Sequence, residues 1–581
     1  MADPQEVLSR RVQSALGAAF GPEFADTDPV IRPSQFADYQ ANAALALAKR
    51  LGRKPREVSA AIMEHLDVAD VCRDVEVSGP GFINLTLRED WIAARTRDLL
   101  DDPRLGVPRQ DALNIPIDYS APNVAKEMHV GHLRTTVVGD SLARTLEFLG
   151  HNVIRQNHIG DWGTPFGMLI EHLLAVGEDS AEADLLTTDP NAFYQAARVE
   201  FDGSGPGPDE FAARARRRVV ALQGGDEETL RLWRKLVGLS RVYFNKVYTK
   251  LGVTLTDDHL AGESTYNAML ADVCDELETK GIAEISEGAL CVFLDEFTGR
   301  EDKPVPLIVR KSDGGYGYAT TDLATVRHRV DDLKADRILY VVGAPQSLHF
   351  KMVWATAREA GWLPDRVETT HVQIGNVLGG DGKILRTRSG APIRLMSLLD
   401  EAVERATAVV AENRPDLSAE EQAAIAGKVG IGAVKYADLS VSHDTEYTFD
   451  FDRMLALTGN TGPYLQYAQA RIRSIFRKGG LDPERARGQI TVAEGAERDL
   501  ALKLLAFGGV VAQVGDLLQP HRLCAYLFDL GQALTAFYEH CPVLSAETEE
   551  QRESRLALVA VALRVLVQGL DLLGVEAPEY M

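Results

Sequence analysis

Between a short apolar run and a long helical pattern, the chain reads Ser120-Ala-Pro-Asn-Val-Ala-Lys-Glu-Met-His-Val-Gly-His132. The apolar run, Ile115 to Tyr119, indicates a strand, and the helical pattern extends from Leu133 to Leu149. The quoted stretch is therefore a loop that leads from a strand into the start of a helix. Because free N–H groups and the positive dipole end of a helix start attract anions, the sequence predicts a phosphate site here.

Two histidines, His129 and His132, stand around Gly131 in this loop. Their ring N–H groups are suited to donate hydrogen bonds to phosphate oxygens where negative charge develops during group transfer. Gly131 has no Cβ, so a flat ring or a phosphate is able to approach the backbone closely. The short histidine pattern alone also fits nucleotidylyltransferases, chance loops, or plain polar residues at a helix start.

Taken whole, the thirteen-residue stretch resembles the ATP-binding signature of class I aminoacyl-tRNA synthetases in its arginyl form. Four more segments resemble the arginyl-tRNA synthetases in the same order along the chain. They are Gly160-Asp-Trp-Gly163 with Phe166-Gly167; Asp313 to Asp322 together with Gly343-Ala-Pro-Gln-Ser-Leu-His349; the loop Gly379 to Gly390; and Thr461 to Arg473 with the chain end. The resemblance implies an arginine–tRNA ligase, which activates L-arginine with ATP and transfers it to the 3′-terminal adenosine of tRNA(Arg).

The resemblance also implies the nucleotide-binding residues. His129, His132 and Lys126 are expected to be catalytic, Gly131 and the two histidines to bind ATP, and Mg²⁺ to lie on the pyrophosphate portion. Asn376 and Val377 complete the expected ATP site.

The Gly-rich loop Gly379 to Gly390 carries cations suited to closing over a triphosphate. It resembles the second class I signature only in degenerate form, with Leu385 at the first lysine position and Arg388 at the second. Lys383 resembles the upstream lysine of many arginyl enzymes and is expected, with Arg388, to be catalytic. The departure puts in doubt how the ATP loop is stabilised. A related family property, that arginine activation needs bound tRNA, is carried over as a hypothesis.

A carboxylate and an aromatic ring, Asp322 and Tyr318, are four residues apart and share one face if a helix begins near them. This pair suits a guanidinium, which donates two parallel hydrogen bonds to a carboxylate and stacks on flat rings. Asp322 as the N-cap of the following helix is the alternative. The resemblance implies that Tyr318, Asp322 and Gln346 contact the arginine side chain, while Asp118, Ser120 and Asn123 hold the rest of the amino acid.

Alternating strands and helices from about residue 109 predict an α/β fold with a Rossmann-type, doubly wound parallel sheet. Further strands are indicated by His151 to His158, Arg337 to Val342 and His371 to Ile374. The predicted divisions are an α+β N-terminal domain, 1–108; the catalytic domain, 109–395, with an insertion at about 175–305; a helical connection, 396–455; and an all-α bundle, 456–581. By resemblance the first contacts the tRNA elbow, the third the stem and the last the anticodon.

The helix that opens the bundle combines aromatic and cationic side chains, Tyr464, Tyr467 and Arg471. It either packs inside the bundle or presents stacking and charged groups to RNA loops. The resemblance implies that these three residues bind tRNA.

Composition is ordinary for a soluble globular protein of 581 residues but shows no general basic footprint, since the net charge is −23. The five scattered cysteines predict buried thiols rather than disulfides or a zinc ribbon. No secretory signal and no uncharged apolar run of membrane length is evident, so a cytoplasmic location is expected, and the resemblance implies a monomer. The remaining alternatives are an HxGH-type nucleotidylyltransferase and a catalytically silent tRNA-binding paralogue.

Overall fold

A computed structural model describes residues 3–202, 208–299, 304–387 and 392–581. The chain divides into two compact units. The first unit combines Met1–Arg109 with Ala456–Leu572 and Glu576–Met581, and the second consists of Gln110–Leu455 with Leu573–Val575. The N-terminal segment and the C-terminal helices therefore belong to the same unit.

The N-terminal segment contains a four-stranded antiparallel sheet in the order β1-β2-β4-β3, with helices around it. Alternation around Gly79-Pro-Gly81 in the sequence predicts strand–turn–strand, which the structure confirms. The alanine-rich stretch from Asp38 to Leu51 predicts a helix, and this prediction is wrong at its start, because Tyr39–Ala41 pairs with β4 and buries Tyr39 and Ala41. The elements are α1 (Pro4–Phe20), β1 (Ile31–Pro33), β2 (Tyr39–Ala41), α2 (Ala43–Leu51), α3 (Pro55–His65), β3 (Cys72–Ser78), β4 (Phe82–Leu87) and α4 (Glu89–Asp98).

The second unit is built on a parallel sheet whose first half is β5 (Asn114–Asp118), α5 (Val130–Leu149) and β6 (Asn152–Gln156). β5 is buried along its length, as expected for a strand covered on both faces. α5 lies directly on it, because Gly139 leaves room for the Tyr119 ring; a Cβ at Gly139 would come within 2.3 Å of that side chain.

An insertion follows, largely helical as expected, and it adds a small antiparallel sheet in the order β7-β8-β9 that the sequence did not predict. Within the insertion, residues 203–207 and 300–303 lie outside the described part of the chain. The elements are α6 (Thr164–Val176), α7 (Leu185–Thr188), α8 (Pro190–Phe201), α9 (Pro208–Gln223), α10 (Glu227–Leu251), α11 (Leu270–Thr279), β7 (Ala283–Ser286), β8 (Ala289–Thr298) and β9 (Pro304–Arg310).

The second half of the sheet completes the doubly wound fold in the order β11-β10-β5-β6, all parallel. The chain leaves β5 toward β6 on one side and later returns to β10 on the other. The elements are α12 (Tyr318–Asp331), β10 (Arg337–Gly343), α13 (Ser347–Glu359), β11 (Glu368–Ile374) and β12 (Val377–Leu378).

Helices dominate the rest of the chain, as expected. The apolar periodicity from Arg498 to Gln513 predicts one helix, but the structure has two, which join at Ala506. Gly508, just after the junction, packs on the carbonyl of Gly106. The elements are α14 (Leu395–Asn413), α15 (Ala419–Leu439), β13 (Tyr447–Thr448), α16 (Phe451–Met454), α17 (Gly462–Gly479), α18 (Gly495–Leu505), α19 (Phe507–Leu517), α20 (His521–His540) and α21 (Glu549–Leu572).

Within the described residues, one apolar stretch, Gly495–Leu517, has the length and hydropathy of a membrane span, and half of its most apolar window is buried against neighbouring elements. That burial is typical of a core helix pair. All five cysteines are buried free thiols, so the expectation for them is confirmed.

Candidate active site

Several of the expected site residues follow the two strands between which the strand order reverses, β5 and β10. Asp118 at the end of β5 pairs with Tyr340 of β10, and both strands run in the same direction. In doubly wound sheets, ligands bind at the carboxyl ends of the strands on either side of such a reversal. The loop after β5 carries His129, and the turn after β10 carries Gln346.

The two histidines pack against each other at the start of α5, with ring centres 4.0 Å apart. His129 is the N-cap, and its Nδ1 accepts the Gly131 N–H at 3.1 Å. His132 Nδ1 accepts the His129 N–H at 3.0 Å. Because an accepting nitrogen carries no proton, a neutral ring holds its proton on Nε2. Both histidines are therefore arranged as Nε2–H donors.

Both rings are held in the neutral form. Burial, reinforced by the charge of Lys126, lowers the pKa of His129. Burial and the neighbouring His129 lower the pKa of His132 to about 3. At neutral pH the pair therefore offers two N–H donors without full positive charges.

The approach loop has an unusual backbone that fixes its polar side chains. Ser120 has a φ of 73° and is buried; its Oγ accepts from Thr136 and lies 2.9 Å from the Tyr248 hydroxyl. Asn123 is exposed and lies over Gly160, where an added Cβ would meet Asn123 Oδ1 at 2.3 Å. The glycines around Trp162 predict a backbone that approaches a ligand or a neighbouring loop closely, and at Gly160 the structure shows such an approach to the Asn123 loop.

The segment after the Gly-rich loop is anchored to the histidine loop. Val130 N donates to Ile393 O at 3.0 Å. Arg394 Nε lies 2.8 Å from Glu127 Oε2 and its second nitrogen 3.1 Å from Asp189, the N-cap of α8.

The other expected nucleotide residues each have their own surroundings. Lys126 Nζ is 4.4 Å from the centre of the Tyr194 ring. Asn376 is exposed and donates to Glu446, while Val377 is buried and pairs with Tyr447. Lys383 is exposed at the tip of the Gly-rich loop. Arg388 lies outside the described residues.

At the other end of the site, Tyr318 and Asp322 lie one turn apart on α12. The helix begins at Tyr318, so Asp322 is in its second turn and the N-cap alternative is wrong. Tyr318 is 75% exposed, whereas Asp322 is half buried. His349 Nε2 lies 2.5 Å from Asp322 Oδ2, and Gln346 is exposed one turn before His349.

Two more carboxyl groups lie near Asp322. Glu263 follows Gly262, which packs on the Asp161 carboxylate, and Asp161 is tied to Ser264 by two hydrogen bonds. Burial, then the negative charges of Asp161 and Asp322, raise the pKa of Glu263 to about 8. The arginine end of the site is thus acidic.

Asp118 has an internal partner. Its Oδ2 lies 2.7 Å from the buried guanidinium of Arg329, two turns beyond Asp322 on α12. Its Oδ1 is buried and has no hydrogen-bond partner. The expected arginine ligand is therefore paired already, with one oxygen left to bind another group.

The three expected tRNA-binding residues differ in exposure. Tyr464 is half buried and packs edge-on against Phe528. Tyr467 and Arg471 are exposed one turn apart on α17, and the Arg471 guanidinium lies 4.7 Å from the centre of the Tyr538 ring. Tyr464 is thus partly packed inside the bundle, whereas Tyr467 and Arg471 are accessible on its surface.

Sequence reasoning missed three residues of interest: Glu263, His349 and Phe36. Glu263 and His349 reach the site only through tertiary packing, although His349 lies in the segment Gly343 to His349, which carries part of the family resemblance. Phe36 is 82% exposed on the loop before β2, and a lone aromatic residue beside a turn gave no signal in the sequence.

Family models match three parts of the chain: "tRNA synthetases class I (R), catalytic domain" over residues 96–451, "DALR anticodon binding domain" over 465–581, and "Arginyl tRNA synthetase N terminal domain" over 6–87. The chain is 76% identical to an arginine–tRNA ligase of Thermobifida fusca strain YX, covering 100% of both chains. It is 52% identical to one of Frankia casuarinae, covering 99% of each.

Solved structures show the same likeness in three dimensions. An arginyl-tRNA synthetase of Plasmodium falciparum superposes with a TM-score of 0.82 at 28% identity, covering 99% of each chain. One of Thermus thermophilus gives 0.82 at 26% identity, covering 100% of each.

Proposed function

The chain belongs to the arginyl-tRNA synthetase family, and we propose how its residues perform the reactions of an arginine–tRNA ligase. In the first reaction the arginine carboxylate forms a bond to the α-phosphorus of ATP, and pyrophosphate leaves. In the second, the arginyl group passes from the adenylate to the terminal adenosine of tRNA(Arg). The full-length identity to arginine–tRNA ligases is the observation that carries this function. Neither a small-molecule nucleotidylyltransferase nor a silent paralogue is supported by it.

We assign His129 and His132, at the nucleotide end of the site, to stabilising the transition state at the α-phosphate of ATP. The Nε2–H groups of His129 and His132 point away from the backbone that fixes their Nδ1 atoms, which supports donation to phosphate oxygens. No protein nucleophile is required, so catalysis consists of positioning and charge stabilisation. Lys126, Lys383 and Arg388 would neutralise the phosphates, and Gly131, Asn376 and Val377 would border the nucleotide.

Mg²⁺ remains part of the proposal, as an ion that enters with ATP. The side chains at this end, His129, His132 and Lys126, are donors, so they fit a metal held by phosphate oxygens rather than by the protein. The ion would supply further neutralisation of the departing pyrophosphate.

We assign the arginine end to Tyr318, Asp322 and Gln346, with Asp118, Ser120 and Asn123 near the amino and carboxylate groups. The acidic surroundings support a cationic side chain. A planar guanidinium donates to two acceptors at once, whereas the ammonium of lysine leaves one acceptor unpaired, so lysine is rejected.

The first unit is proposed to bind tRNA. Tyr467 and Arg471 are exposed on one face of α17, and Phe36 is exposed on the N-terminal segment, as stacking on unpaired bases requires. The elbow, stem and anticodon roles of 1–108, 396–455 and 456–581, the catalytic division 109–395, a monomeric state and a cytoplasmic location also stand as proposals.

Arginine-dependent pyrophosphate exchange tests the proposal. With tRNA(Arg) present, exchange should proceed with arginine and not with lysine, and without tRNA it should fall to near background. Strong exchange without tRNA would contradict the tRNA requirement. Lysine turnover equal to that with arginine would contradict the assigned pocket.

A further inference from the structure

The carboxylate assigned to arginine recognition is already held by a second helix. His349 Nε2 lies 2.5 Å from Asp322 Oδ2, and the two side chains are 28% and 18% exposed. Asp322 belongs to α12 and His349 to the first turn of α13. The contact is thus a short, partly shielded hydrogen bond between two elements, of the charge-assisted kind that is stronger than a neutral one.

The histidine side of this contact stands on a rigid support. The next residue, Phe350, is buried in the core, and its ring centre lies 4.7 Å from that of Tyr340 on β10. It also stacks on Trp354 of the same helix. The backbone of His349 is therefore fixed relative to the sheet.

The aspartate side needs such support. The terminal torsion of an aspartate side chain is broad, so its carboxylate rotates easily unless it is held. The neighbouring carboxyl group of Glu263 repels Asp322 whenever it is charged. A donor on one oxygen opposes both effects and leaves the other oxygen, Oδ1, in a defined direction.

We propose that His349 is a positioning residue for arginine: its Nε2–H binds Asp322 Oδ2 and thereby directs Oδ1 toward the substrate guanidinium. The inference rests on the proposed role of Asp322. Gln346 is the N-cap of the same helix, one turn before His349. The start of α13 therefore supplies both a direct contact to the guanidinium, from Gln346, and the support of Asp322, from His349. The histidine itself need not touch the substrate.

Pyrophosphate exchange in the presence of tRNA(Arg), with arginine and ATP titrated separately, tests this inference. Removing a charge-assisted hydrogen bond in His349→Ala should raise the arginine KM about tenfold and leave the ATP KM unchanged. His349→Gln places an amide N–H near the position of Nε2 and should restore most of the loss, whereas the shorter His349→Asn should not. If the alanine variant does not fold, the glutamine and asparagine variants make the same comparison.

The chain offers a matched control. His328 and Asp332, at the C-terminal end of α12, form a second histidine–aspartate pair at 2.7 Å, one turn apart, with side chains 28% and 64% exposed. His328→Ala should leave both KM values unchanged. The inference is overturned if Asp322→Asn raises the arginine KM while His349→Ala does not, or if glutamine restores nothing. An unchanged arginine KM in Asp322→Asn would instead overturn the proposed function of Asp322, and the inference with it.

Discussion

At the nucleotide end of the site the histidines are kept neutral as donors, whereas at the arginine end three carboxyl groups lie together. Burial produces both conditions, because it disfavours the charged form of any side chain. It lowers the pKa of His132 to about 3 and raises that of Glu263 to about 8. Before substrates bind, both ends therefore hold less charge than their composition suggests, and each gains its function from the direction of a few hydrogen bonds. The following predictions test this contrast.

The largest effect is expected from the nucleotide end. His132→Ala removes a donor that we assign to the α-phosphate, so kcat should fall about a hundredfold to a thousandfold with arginine KM nearly unchanged. Steady-state pyrophosphate exchange measures both constants. A folded variant whose kcat stays within a few-fold of the unaltered enzyme would contradict the assignment.

A smaller effect, on a different constant, is expected from the arginine end. Asp322→Asn removes the charge that pairs with the guanidinium, so arginine KM should rise about a hundredfold while ATP KM stays within about twofold. Asp332→Asn, at the exposed C-cap of α12, is the matched control and should change neither. Equal increases in the arginine KM and the ATP KM after Asp322→Asn would contradict the separate roles of the two ends of the site.

The smallest expected effect is the number of protons released when arginine binds. Since the pKa of Glu263 is about 8, its carboxyl is mostly protonated at pH 7, and a bound guanidinium favours the ionised form. Arginine binding should therefore release up to about one proton, and Glu263→Gln should release none. Calorimetry in two buffers of different ionisation enthalpy gives the count. The same proton release in both proteins would show that Glu263 does not respond to arginine.

The raised pKa of Glu263 also determines how the stability of the protein depends on pH. A carboxyl group whose folded pKa is raised stabilises the ligand-free protein at low pH, and that contribution is lost as the pH rises from about 4.5 to about 8. Glu263→Gln should accordingly flatten the fall in the free energy of unfolding over this range.

The nucleotide end was largely predictable because its determinants are contiguous. A strand expected at residues 115–119 is observed as Asn114–Asp118, and a helix expected from Leu133 begins at Val130. The strand, the loop and the helix cap all lie within about forty residues, so local patterns suffice. The doubly wound fold followed from the same alternation, repeated at β10 and β11.

The arginine end was predictable only in part. The spacing of Tyr318 and Asp322 indicated a shared helix face, but it did not exclude an N-cap. Glu263 enters from the insertion and His349 from the following helix, and no local pattern links either to Asp322. Tertiary pairing likewise outweighed local propensity at Tyr39–Ala41, which had been expected to be helical.

A crystal structure of the enzyme with a non-hydrolysable arginyl-adenylate analogue tests the central claim most directly. The account predicts that the phosphate oxygens lie within hydrogen-bond distance of Nε2 of His129 and His132. It also predicts that the guanidinium lies on Asp322, with His349 still bound to the other carboxylate oxygen. A guanidinium bound away from Asp322, or a phosphate turned away from the two histidines, would contradict it.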